Sequence, residues 1–336
     1  MKKILVTGAG GTPSWNFMKS IREKEDVHII GTDSNKYKVH LSTADKTYLL
    51  PRYDAPEYTE KLNEIIDKEG VELVHAQPDV EVGRISKDRD QINAKVYMPT
   101  KEEVSTCHDK YALQKLYEEN DVPVPKSMRI TEDNIEQAFE EFGSPMWVRA
   151  PSGAGGRGSL PATTPLQVKG WMDFHKGDLV AAEYLPGKNL AWESVFKDGE
   201  LVSSLIWERL SYIIAHVSPS GITGTPDIAR IVERDDVNEI AERAVRTLSK
   251  NPTGIFSVDL RENKEGVPAI TEINPGRFFT PSYFFTSAGS NLPYAYLKIA
   301  YGEEPPEMPK YNSAKNGYYW VRGIDINPTG VNEQDL

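Results

Sequence analysis

The first thirty-three residues constrain the fold more than any other stretch. An apolar strand, Ile4-Leu5-Val6, runs into Gly8-Ala9-Gly10-Gly11, a helical pattern follows over about 14–25, and a second apolar run, 28–31, ends at Asp33. This order gives a βαβ unit, because a right-handed crossover of that length returns the second strand parallel to the first. A helical stretch over 56–69, an apolar run over 71–76 and Val96-Tyr97-Met98 before Pro99 continue the alternation. Residues 1–98 are therefore read as a doubly wound α/β domain.

Spacing decides what the glycine turn does. Backbone N–H groups at a strand-to-helix turn can hold a phosphate, and Asp33 would suit a ribose hydroxyl. A dinucleotide fingerprint begun at Gly8 needs glycine at position 13 or 14, where the chain has Pro13 and Ser14. Tyr111 and Lys115 do keep the tyrosine-lysine spacing of short-chain dehydrogenases, so an NAD(P)-dependent dehydrogenase or epimerase stands as an alternative. A tight turn without a ligand accounts equally for the glycines.

The chain has 336 residues, room for about two domains of ~150. Its 39 Lys plus Arg against 50 Asp plus Glu give a net charge of −11, which disfavours a broad nucleic-acid or anionic-membrane surface. Cys107 is the only cysteine, so neither an intrachain disulfide nor a thiolate zinc cluster can form, as suits a reducing compartment. No apolar run reaches the ~18 residues of a membrane helix, and no signal-type apolar stretch follows Met1. The expected address is the cytoplasm.

The middle of the chain reads as α+β. A helix over 109–120 ends before Pro123 and Pro125, a second covers about 132–142, and the strand Met146-Trp147-Val148-Arg149 enters a loop containing Gly153, Gly155, Gly156 and Gly158. Glycines let backbone N–H groups close over phosphate oxygens, and Arg149 adds a rigid fork of donors. This is not a Walker loop, because Ser159 follows Gly158 where lysine would be required. Further strands are expected over 179–183, 190–195, 255–260 and 269–273, with a helix over 237–249. Asp259, Glu272 and Asn274 end neighbouring strands and offer hard oxygen donors suited to Mg²⁺ or Mn²⁺.

Taken together, these segments resemble the ATP-grasp superfamily, and within it a single module of the carbamoyl-phosphate synthase large subunit, over about residues 3–309. The markers are the glycine loop after the Arg149 strand, the run Val180-Ala181-Ala182-Glu183-Tyr184-Leu185-Pro186-Gly187, and Val258-Asp259 followed by Thr271-Glu272-Ile273-Asn274-Pro275. The resemblance implies an ATP-grasp fold: a Rossmann-like domain at 1–98, an N-lobe with the glycine loop at 99–182, a C-lobe with the metal site at 183–310, and an extension at 311–336.

It further implies that ATP is held by Lys110, Arg149, the four loop glycines, the hinge Glu183-Tyr184-Leu185 and Asn189. Asp259, Glu272 and Asn274 would be the metal ligands, and Arg277, Arg149 and Arg209 the catalytic cations. The family's glutamate after the hinge glycine is absent here, since Lys188 and Asn189 follow Gly187, leaving Glu193 as a substitute ribose contact. The usual Asn-Pro-Arg carries an inserted glycine, Asn274-Pro275-Gly276-Arg277. Glu208-Arg209, Tyr212, His216 and the turn 218–225 are expected to face substrate, with Phe278-Phe279 and Tyr283-Phe284-Phe285 as an aromatic wall.

The reaction implied is phosphorylation of a carboxylate by ATP and capture of the acyl phosphate by an amine. Its partners would be small-molecule carboxylate and amine substrates, with no nucleic acid or membrane, and a homodimer is compatible with it. Phosphorylation of bicarbonate or carbamate, and a nucleotide-binding regulator without turnover, are the alternatives closest to this reading.

Overall fold

The computed structural model describes residues 1–150, 158–176, 179–324 and 326–335. The opening segment forms β1 (Lys2–Thr7), α1 (Thr12–Arg22), β2 (Val27–Asp33), β3 (Lys46–Leu49), α2 (Tyr58–Glu69), β4 (Leu73–His75), α3 (Asp79–Asp88) and β5 (Lys95–Val96). The five strands are parallel in the order β3-β2-β1-β4-β5. Both faces are covered, so the buried centre of β1, Ile4-Leu5-Val6, is a continuous apolar run rather than an alternating one. Ile4 and Val6 pack with Phe17 and Ile21 of α1, whereas Leu5 packs with Leu62 and Ile66 of α2. Sequence periodicity does not reveal β3, since this short edge strand is part-exposed along its length and has no apolar run.

The glycine turn closes on the chain itself. Ala9 N–H bonds to the Thr32 carbonyl at 2.9 Å, Gly11 N–H to the Gly8 carbonyl at 2.8 Å, and Gly10 N–H to Asp33 Oδ2 at 3.2 Å. A Cβ at Gly10 would lie 2.0 Å from the Lys38 carbonyl oxygen. The amides and carboxylate that a dinucleotide would need therefore already have partners, and glycine is required here for close approach.

Two helices carry the chain out of this domain. α4 (Lys101–His108) starts with a Thr100/Glu103 capping box, and α5 (Lys110–Glu119) starts anew at Asp109, whose carboxylate accepts the Tyr111 and Ala112 N–H groups. The break makes Lys110 the first residue of α5. Next come β6 (Ser127–Ile130), α6 (Ile135–Phe142), β7 (Met146–Arg149), β8 (Leu160–Ala162), α7 (Pro165–His175) and β9 (Leu179–Ala182), whose strands form an antiparallel sheet in the order β6-β9-β7-β8.

The remainder comprises β10 (Asn189–Lys197), β11 (Glu200–Tyr212), β12 (Pro226–Val232), α8 (Asp235–Leu248), β13 (Gly254–Glu262), β14 (Pro268–Pro275), α9 (Ser282–Ser287), α10 (Leu292–Ala300), β15 (Tyr318–Gly323) and β16 (Ile326–Asn332). Its sheet is antiparallel in the order β14-β13-β10-β11-β12-β15-β16, so residues after 310 supply two strands to it. One face packs on α5 and α8 through Trp192, Val258 and Leu260. On the other, Trp207, Leu205 and Ile255 join α9, α10 and Phe17 of α1 in a core shared with the first domain. The turn 276–280 lies at that junction: Asn16 donates to the Thr280 carbonyl at 2.8 Å and Gln77 to the Phe278 carbonyl at 2.7 Å.

Candidate active site

Antiparallel pairing sets Asp259 of β13 directly across from Glu272 of β14, with a bulge just beyond. Side chains two apart on a strand share a face, so Glu272 and Asn274 project together. Asn274 Nδ2 donates to Asp259 Oδ2 at 3.1 Å, joining the three. Two cations neutralise the carboxylates: Arg209 Nη2 lies 2.6 Å from Asp259 Oδ1, and Lys110 Nζ lies 2.9 Å from Glu272 Oε2. The Arg209 guanidinium also donates to Asn189 Oδ1 at 2.9 Å and stands 4.4 Å from the centre of the Trp207 ring.

Arg277 answers the question raised by the inserted glycine. Gly276 takes φ +74° and bonds to the Ile255 carbonyl, and the Arg277 side chain then returns to the site. It donates to Asn274 Oδ1, and its Nε lies 3.4 Å from Asp79 Oδ1 at the start of α3. Arg149, ending β7, donates to the Thr271 carbonyl at 3.3 Å, while its buried Nε has no hydrogen-bond partner among the described residues.

These groups surround a cavity of about 240 Å³ between the two antiparallel sheets. Lys110, Arg149, Glu183, Tyr184, Leu185, Asn189, Arg209, Asp259, Glu272, Asn274 and Arg277 all line it. Gly158 does not; it has φ +78° and its carbonyl accepts the Trp171 indole N–H at 3.1 Å. Gly153, Gly155 and Gly156 lie outside the described residues. Of the groups expected to face substrate, Arg209, Tyr212 and Phe279 line the cavity with Ile222 and Gly224 of the 218–225 turn. Glu208 instead pairs with Arg230, His216 is not on the wall, and Phe278, Phe284 and Phe285 fill the core. Glu193 does not reach the cavity either; it is fully buried under the 276–280 turn.

The lining or adjoining residues that sequence reasoning does not assign to the site include Arg261, Thr271 and Asp79. Arg261 follows Asp259 by two and so shares its face, a signal that strand alternation carried. Thr271 lies in the bulge, and Asp79 comes from another domain. No local pattern marks the last two.

Burial governs the electrostatics. It raises the Asp259 carboxyl, opposed by Arg209 and reinforced by Glu272. Burial lowers Arg149. It also acts to lower Arg209, yet the neighbouring Asp259 carboxylate outweighs it and the guanidinium is held above its ordinary value. Burial would raise Asp79, but His108 and Arg277 overcome it and hold that carboxyl well below the usual range. Two carboxylates and one amide suit a hard divalent cation that keeps water and phosphate oxygens as its other ligands. Among the described residues no set of three His, Cys, Asp or Glu side chains is placed to form an all-protein cage.

A parallel α/β domain followed by two antiparallel sheets with a cationic, carboxylate-bearing cavity between them defines the ATP-grasp class of fold. The chain belongs to the ATP-grasp domain family, whose pattern it matches over residues 107–281, and residues 4–98 match the PylC-like N-terminal domain. It is 24% identical over 357 aligned positions to the carbamoyl phosphate synthase large chain of Clostridium acetobutylicum, covering 97% of this chain. The chain spans 32% of that relative's length. Among solved structures, an L-amino acid ligase from Bacillus licheniformis superposes with a TM-score of 0.73 at 13% identity, over 95% of this chain and 79% of that one. An N5-carboxyaminoimidazole synthetase from Staphylococcus aureus complexed with ADP gives 0.73 at 14% identity, over 96% and 82%. At these identities the superpositions speak for the fold.

Proposed function

We propose that the protein is an ATP-dependent ligase that converts a carboxylate to an acyl phosphate and joins it to an amine, releasing ADP and phosphate. The observation that carries this reading is the convergence of Lys110, Arg149, Arg209 and Arg277 with Asp259, Glu272 and Asn274 on one cavity between two lobes. Phosphoryl transfer asks mainly for positioning and charge neutralisation, which this arrangement supplies. A carboxylate oxygen attacks the terminal phosphorus as the bond to ADP breaks; the amine nitrogen then attacks the acyl carbon, phosphate leaves, and the nitrogen loses its proton.

Asp259, Glu272 and Asn274 would hold Mg²⁺ or Mn²⁺, which supplies charge neutralisation on phosphate oxygens. Lys110 and Arg149 bind phosphate, and the Glu183–Leu185 backbone receives the base. Arg277 orients the acceptor oxygens. Arg209 favours the charged form of Asp259 against burial and orients it from behind, rather than reaching for a substrate carboxylate. The names of two structural neighbours, an L-amino acid ligase and an N5-carboxyaminoimidazole synthetase, agree with this reaction class. The carbamoyl phosphate synthase relative favours bicarbonate as a second reading for the acid. Small-molecule substrates and a cytoplasmic setting agree with the net charge of −11, and no helix among the described residues is long and apolar enough to cross a membrane.

The test is a phosphate-release screen of acids crossed with amines in the presence of ATP–Mg²⁺, with thermal shifts by ATP–Mg²⁺ and NADH alongside. Turnover with at least one pair, and stabilisation by ATP–Mg²⁺, are expected. Glu272→Ala should abolish ADP formation and leave the fold intact; wild-type turnover in that variant removes Glu272 from the metal site. Stabilisation by NADH alone would refute the ligase.

A further inference from the structure

Glu193 lies in the middle of β10, 0% exposed, and none of the steps above uses it. Across β13 it faces Ser257, and across β11 the apolar Leu205. Above it runs the turn 276–280, from which the Phe279 N–H donates to Glu193 Oε2 at 2.9 Å. Among the described residues, Arg277 in that turn and Asp259 on β13 are the charged groups with the largest fields on it.

The hydroxyl of Ser257 makes this arrangement informative. Its Oγ stands between two acceptors, Glu193 Oε1 and the carbonyl oxygen of Arg277, the latter 2.8 Å away. A hydroxyl has one proton and cannot donate to both. If Glu193 is ionised, Ser257 donates to the carboxylate and the Arg277 carbonyl loses this partner. With a proton on Oε1, Glu193 donates to Ser257 Oγ, Ser257 donates to the Arg277 carbonyl, and Oε2 still accepts from Phe279. Only the second arrangement satisfies all three contacts at once.

We propose that Glu193 is a positioning residue that acts as a neutral hydrogen-bond donor, fixing through Ser257 the turn that aims Arg277 into the active site. Burial agrees with this proton count: with no water to solvate a charge, the Glu193 carboxyl is pushed up to about 8, the hydrogen bonds from Ser257 and Phe279 and the Arg277 charge offsetting part of the rise. Loss of the proton turns the Ser257 hydroxyl away from the Arg277 carbonyl and loosens the turn at the residue next to the inserted Gly276. The proposal rests on the ligase reading for its catalytic consequence, while the protonation itself does not.

The experiment compares wild type with Glu193→Gln, Glu193→Met and Ser257→Ala. A glutamine amide donates to Ser257 Oγ and accepts from Phe279 as the acid does, but cannot ionise. Wild-type kcat should fall on the alkaline side with a midpoint near the value of about 8 given above. Glu193→Gln should retain most of the turnover and lose that limb. Glu193→Met should lower kcat about a hundredfold by misplacing Arg277, with nucleotide affinity little changed. Ser257→Ala, which keeps the carboxyl but cuts the link, should lower kcat in the same direction.

Infrared difference spectroscopy should show a protonated carboxyl at neutral pH in wild type and none in Glu193→Gln. An ionised Glu193 at neutral pH, an alkaline limb unchanged in Glu193→Gln, or full turnover in Glu193→Met would each overturn the proposal. Should Glu193→Met fail to fold, the glutamine profile still decides. Absence of turnover with every substrate pair would count against the ligase reading, and the infrared signal would still test the proton on Glu193.

Discussion

The carboxylate of Asp259 and the guanidinium of Arg209 meet at 2.6 Å inside the cavity, and the arginine side chain is only 9% exposed. A pair so removed from water is costly to break from one side, because the remaining charge has no solvent to replace its partner. Arg209→Met is therefore expected to destabilise the fold by about 3–5 kcal/mol. The double variant Arg209→Met with Asp259→Asn should recover much of that loss, since no charge is left buried. Urea unfolding of the four proteins in the cycle measures the coupling; simple additivity of the two single changes would show that the pair is not linked.

Asp79 connects the first domain to the 276–280 turn through Arg277. Its carboxyl is held below the ordinary value despite burial, with His108 and Arg277 as the causes. The ionised form thus contributes stability that is complete above the unfolded carboxylate value of about 3.9 and disappears as pH falls through the lower folded value. Asp79→Asn should flatten the acid branch of the stability curve and lower turnover at neutral pH. Urea midpoints taken from neutral to acid pH supply the check, and identical acid branches would contradict the assignment.

His75 behaves in the opposite chemical sense but with the same pH direction. It is fully buried, stacks on Phe17 at 3.9 Å and contacts Gln77 Oε1 at 2.9 Å. Burial brings the imidazole down to about 4 from its ordinary 6.5. Between those values the unfolded chain binds a proton that the folded chain refuses, so stability is full above about 6.5 and declines as pH drops toward about 4. His75→Gln should lose this slope. Thermal midpoints across that window test it, and a slope equal to wild type would mean that another group titrates there.

Much of the architecture was readable from residue order. The alternation of apolar runs and helices marked the parallel domain, and the strand-period pattern of β13 and β14 put Glu272 and Asn274 on one face. Other parts were silent for physical reasons. β3 is an edge strand with little to bury, so it carries no apolar signature. α4 is short, and only its capping box announces it. Glu193 attracted notice as a charged residue near the hinge, but sequence position could not show that its face of β10 turns into the core.

Residue order by itself determined which types of group would be present and on which strand faces, because backbone geometry fixes a period of two along a strand and 3.6 along a helix. It did not determine which charges would meet. Lys110 and Glu272 are 162 residues apart and Asp79 and Arg277 are 198 apart, and each contact depends on how sheets and domains close against one another. That closure is decided by the shared core around Phe17, Trp207 and Phe278. The tertiary structure alone therefore set the cavity's electrostatics, since burial and long-range pairing, not local spacing, fix the charge on each group.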